Sequence, residues 1–138
     1  MVGIEHPDLA RAVMGSVGRS CPDRRLCAAW LYGSQARGEA RADSDVDIAI
    51  LADQPCDPLA LGGAAVELEG VLGRRVDLVD LRRVSVLLRV QATYGGKMLV
   101  APDPTEAALF ETHAIADYGS FAANRKMCTD AMLEKFRG

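Results

Sequence analysis

Three aspartates and one Gly-Ser step define the chemistry open to this chain. Asp45 and Asp47 stand two apart at the mouth of an apolar run, Val46 to Leu51, that reads as a central strand. Strand alternation points both carboxylates to one side. Like charges so close repel unless cations neutralise them, and hard divalent ions take such oxygen ligands. Asp77 enters from a further apolar run, Val76 to Leu81, within Arg-Arg-Val-Asp-Leu-Val-Asp-Leu. Three carboxylates on adjacent strands can hold two Mg²⁺ about 3.5–4 Å apart, clamping both oxygens of an in-line phosphoryl displacement. Asp80 is a rival for the third position, but it falls on the opposite strand face.

The step before the Asp-x-Asp complements it. Gly33 ends the strand Arg25 to Tyr32, letting the backbone turn sharply and come close to a phosphate. Ser34 offers a hydroxyl where a new helix would begin, so backbone N–H groups can also face an anion. Arg37, one turn later, is a candidate phosphate donor or a helix-surface ion-pairing residue. Asp43 and Ser44 suit loop capping better than metal binding, and Glu39, Arg41, Lys97 and His113 read as surface or structural.

The elements that must position these groups alternate. A first helix spans His6 to Gly18, and the two strands around the Gly-Ser and Asp-x-Asp segments follow. Leu59 to Leu72 reads as a helix with Leu61, Ala65, Leu68 and Leu72 inward, stopped near Gly73. After the Asp77 strand come a helix, Val84 to Tyr94, and a short strand, Lys97 to Val100. From Thr105 to Phe136 the pattern is helical, with Gly119 a possible bend. The expected fold is α/β, a small mixed sheet flanked by helices, with a C-terminal helical extension. The 138 residues make one domain (1–138), with the core over about 25–101 and the helical region over about 104–137.

Composition narrows the setting. Hydrophobic residues make up 49% and charged residues 25%, enough for a packed core. No run approaches the ~18–20 apolar residues of a membrane span, and no signal peptide is visible, so a cytoplasmic protein is expected. The net charge of −3 argues against direct binding to long nucleic acid. Four scattered cysteines without a C-x-x-C pair read as structural or reduced. Arginines at 19, 24, 25, 37, 41, 74, 75, 82, 83 and 89 could line a local triphosphate pocket, though most read as solvated surface.

Gly33-Ser34, ten residues, then Asp45-x-Asp47, with a later strand aspartate, resembles the signature of the polymerase-β-type nucleotidyltransferase superfamily. Ala36-Arg37-Gly38 and Ser44-Asp45 resemble in particular the minimal nucleotidyltransferases. The resemblance spans about Trp30 to Val100 and implies the polymerase-β-like fold. It implies that Gly33 and Ser34, with Arg37 as a further candidate, bind the triphosphate. Asp45 and Asp47 would ligate two Mg²⁺, and Asp77 the catalytic one. The implied reaction is adenylyl transfer from ATP with release of pyrophosphate.

The chain leaves little room for a separate acceptor domain. Small members of this kind pair with HEPN-domain RNase toxins in toxin–antitoxin modules and adenylylate a toxin tyrosine. The resemblance therefore implies an antitoxin with a cognate HEPN toxin as partner and acceptor, in a homo- or hetero-oligomer. Two alternatives stand beside it: neutralisation by stoichiometric binding with a vestigial nucleotide site, and nucleotidylation of a small molecule such as an aminoglycoside. Met127, Met132, Leu133 and Phe136 form either a partner-docking face or a face that packs back on the sheet.

Overall fold

The computed structural model describes residues 6–33, 36, 38 and 44–137, with side chains of the last helix described up to residue 120. The elements are α1 (His6–Ser20), β1 (Leu26–Tyr32), β2 (Val46–Ala52), α2 (Pro58–Leu72), β3 (Val76–Asp80), α3 (Val86–Thr93), β4 (Lys97–Val100) and α4 (Pro104–Arg137). They follow the expected order.

The sheet is mixed, with strand order β3-β2-β1-β4. β1 is antiparallel to both β2 and β4, whereas β2 and β3 run parallel. The parallel pair needs a crossover, and α2 supplies it. Asp57 caps α2, accepting from the Leu59 N–H at 3.1 Å, and the Gly73 N–H closes its far end on the Glu69 carbonyl at 2.9 Å.

Each sheet face has its own core. On one face Leu9, Val13 and Val17 of α1 and Leu61, Ala64 and Leu68 of α2 pack on Leu31, Ile48 and Ile50. On the other, Ala92 of α3 and Ala107 of α4 cover Trp30, Ala49 and Leu51. β1 and β2 are therefore apolar on both faces, as central strands should be. α2 differs in detail from expectation: Ala64 is fully buried and Ala65 only partly so. The helix is apolar on nearly every side, so helical spacing alone does not single out its inward face.

α4 runs unbroken through Gly119. Tyr94 of the α3 end donates to the Glu111 carbonyl at 3.1 Å, and Arg82 and Arg89 stack over the Phe110 ring. These contacts hold α3 and α4 together over the second face. Cys21, Cys27 and Cys56 are buried free thiols. No described helix is long and apolar enough to cross a membrane.

Candidate active site

β2 and β3 pair in register, so that Asp47 stands beside Asp77. β1 pairs Tyr32 with Asp47 on the other side. Paired residues of adjacent strands share a face, so Tyr32, Asp47 and Asp77 form a row across three strands. The row lies on the face that α3 and α4 cover, beyond the packed part of that core. The start of the parallel ladder is fixed by the Val46 N–H, which donates to the Arg75 carbonyl at 2.9 Å. Asp77 and Asp45 are exposed, and Asp47 is half-buried. Asp45 lies one residue ahead of β2, at its mouth.

Gly33 closes the row from the β1 side. Its φ is +70°, and a Cβ placed there would meet the Asp47 carboxylate inside any distance real Cβ atoms adopt. The residue must lack a side chain both for its backbone turn and for Asp47 to sit where it does. Ser34 and Arg37, the other triphosphate candidates, lie outside the described residues, as do Glu39, Arg41 and Asp43. The Met127, Met132, Leu133 and Phe136 side chains lie outside the description too.

The electrostatics of the row are visible in Tyr32. Burial, then the charges of Asp77 and Asp47, push its phenol up to about 12, so it stays protonated beside the carboxylates. Among the described residues, no three Asp, Glu, His or Cys side chains form a ready-made metal cage. The chain instead brings two strand carboxylates together, with a third at the strand mouth. That donor set fits Mg²⁺, which is typically held by one or two carboxylates plus substrate phosphates rather than by an all-protein cage.

Asp80 has a different task. It is 4% exposed, and its carboxylate accepts from the Cys56 N–H at 2.8 Å and the Arg82 N–H at 2.9 Å. It ties the end of β3 to the loop before α2.

The profile of the family "Polymerase beta, Nucleotidyltransferase" matches residues 22–105. The chain belongs to this family. It is also 34% identical over 109 residues to the protein adenylyltransferase MntA of Shewanella oneidensis, covering 79% of this chain and 78% of that one. Among solved structures it resembles a toxin–antitoxin crystallised with AMP-PNP, at TM-score 0.76 and 31% identity, covering 90% of this chain and 98% of that one. A second likeness is to the Shewanella oneidensis MNT antitoxin complex with its tri-AMPylated HEPN toxin. There the TM-score is 0.72 and the identity 28%, covering 94% of this chain and 99% of that chain. The polymerase-β-like fold and the assignment as a nucleotidyltransferase therefore stand.

Several arginines serve the fold rather than a phosphate pocket. Arg82 donates to the Ala52 carbonyl at 2.7 Å, Arg83 to the Cys56 carbonyl at 3.0 Å and Arg89 to the Leu81 carbonyl at 2.9 Å. Arg24 donates to the Pro55 carbonyl at 2.9 Å, and Arg25 pairs with Asp103 at 2.8 Å. What sequence reasoning missed is a cleft of about 290 Å³ beside the row, lined among the described residues by Tyr32, Gly33, Gln91 and Gly95. Tyr32 had a signal, its place directly before the Gly-Ser step. Gln91 had none, because only the packing of α3 over β1 brings it there.

Proposed function

We propose that this chain is the antitoxin of a toxin–antitoxin pair and transfers AMP from ATP to a tyrosine of a cognate HEPN RNase toxin. The observation that carries the reading is the in-register Asp47–Asp77 pair, with Gly33 against Asp47. Asp45, Asp47 and Asp77 would hold Mg²⁺, which supplies charge neutralisation of the triphosphate and of the departing pyrophosphate. Gly33 and Ser34 bind the phosphates through backbone N–H groups and the Ser34 hydroxyl, with Arg37 as an added donor.

The acceptor tyrosine oxygen attacks the α-phosphorus in line. A new phosphorus–oxygen bond to the tyrosine forms, and the bond from the α-phosphorus to the bridging oxygen breaks, releasing pyrophosphate. The phenolic proton passes to Asp77 and from there to water. Asp77 lies on the edge strand of the sheet, where a second protein can approach it.

The likeness to a named protein adenylyltransferase and to an antitoxin bound to an AMPylated toxin supports a protein acceptor over an aminoglycoside. Neutralisation by docking alone is the second reading, favoured only insofar as those relatives form complexes with their toxins. Incubation with Mg²⁺-ATP and a cognate HEPN protein should add AMP mass to that partner. The Asp45→Asn/Asp47→Asn variant should add none and should fail to neutralise. Unchanged addition by that variant sinks the catalytic assignment; full neutralisation without addition establishes docking alone.

A further inference from the structure

We infer that the cleft between the end of β1 and the C-terminal end of α3 seats the base of the nucleotide, with the Gln91 amide reading adenine. The inference rests on the nucleotidyltransferase reading and adds to it a base subsite and its specificity residue.

Position comes first. Across the sheet the order is β3-β2-β1-β4, so Asp77 lies at one edge, Asp47 next, and Gly33 at the end of β1. The cleft opens at Gly33 and is bounded by α3. With the phosphates at Gly33 and the acceptor entering at the Asp77 edge, a group in this cleft is continuous with the phosphates and away from the acceptor. The nucleoside end of the nucleotide meets that condition.

The lining agrees in chemistry. Among the described residues it offers one phenol ring, one carboxamide and two glycines. A flat neutral heterocycle finds there an aromatic surface and a group that both donates and accepts. A side-chain amide can pair with adenine through the N6 donor and N7 acceptor, a pattern guanine does not present. The volume of about 290 Å³ lies at the small end of ligand sites, enough for a nucleoside but not for a bulky partner.

The wall is also firmly placed. A Cβ on Gly96 would lie 2.7 Å from the Leu31 carbonyl oxygen and 3.2 Å from the Tyr32 Cβ, so the turn is pressed onto β1. A Cβ on Gly95 would lie 2.7 Å from the Gln91 carbonyl oxygen. Tyr32 and Gln91 thus face the cleft from two backbones in close contact, a stiff support for recognition.

The test uses Gln91→Leu, which keeps the size of an exposed side chain and removes the amide. Calorimetry with Mg²⁺ measures the Kd of AMP-PNP and of GMP-PNP for wild type and variant. Wild type should prefer AMP-PNP, and the variant should lose about tenfold or more of that affinity and most of the preference. In turnover assays KM for ATP should rise while kcat at saturation is kept. A variant with wild-type Kd values and preference overturns the subsite, and so does a wild type with no preference. Unchanged nucleotide Kd with a raised KM for the acceptor gives the cleft to the acceptor and overturns it as well. Each of these leaves the nucleotidyltransferase reading in place, whereas wild type that binds neither analogue sinks that reading itself.

Discussion

Replacing Gly33 by alanine probes the site through its backbone. The φ of +70° is in the left-handed region, where a Cβ costs about 1–2 kcal/mol. The new methyl would also overlap the Asp47 carboxylate, which must retreat by about an ångström to regain ordinary contact. A displacement of that size at a reacting centre costs on the order of a hundredfold in rate. Gly33→Ala should therefore fold with its Tm lowered by several degrees, yet transfer labelled AMP about a hundredfold more slowly. The two effects separate by stability measurement in an Asp47→Ala background, where the overlap is gone and only the backbone strain is left. If Gly33→Ala turns over at the wild-type rate, the Asp47 carboxylate need not stand where the structure puts it. If it destabilises equally with and without Asp47, the overlap argument fails.

Asp77 and Asp80 should behave oppositely. Asp77→Asn should abolish transfer with stability kept or raised, since one of two adjacent like charges is removed. Asp80→Ala should cost about 2–3 kcal/mol in urea unfolding while nucleotide Kd is kept, because the Cys56 and Arg82 N–H groups lose their acceptor. Burial and then the nearby Asp80 charge raise the Cys56 thiol from 9.0 to about 12. Its neutral form is favoured in the fold, so its contribution is constant below about pH 8 and is lost as pH rises from 9 toward 12. Urea midpoints should fall across that alkaline window, and less steeply in Cys56→Ala. Asp57→Ala should lower stability by about 1 kcal/mol through loss of the α2 cap, with transfer unchanged.

What was legible in the sequence follows physical lines. The strands carrying Trp30 and Ile48 announced themselves because a doubly covered strand must be apolar throughout, and the helices by spacing and terminal signals. Register was not legible. That Asp47 meets Asp77, rather than a neighbour one step away, depends on the parallel ladder set by α2 and by the Val46–Arg75 hydrogen bond. The inward face of α2 was obscured by its glycines and its lack of a polar side. The work of Arg82, Arg83 and Arg89 was hidden because their acceptors are carbonyls far along the chain, 30, 27 and 8 residues away. Alternation did separate Asp77 from Asp80, since it requires only the strand period.

The order of the strands has a consequence for solubility. Among the described residues both edges of the sheet are its shortest strands, β3 with five residues and β4 with four, each paired with a strand on one side only. β3 presents Asp77 and β4 presents Lys97, both exposed. A charge on an edge strand discourages its stacking onto a neighbouring molecule. The carboxylate assigned to the reaction would thus also guard the rim of the sheet against self-association. Apolar substitutions at Asp77 should promote aggregation as well as remove activity, and turnover in such variants belongs to the monodisperse fraction.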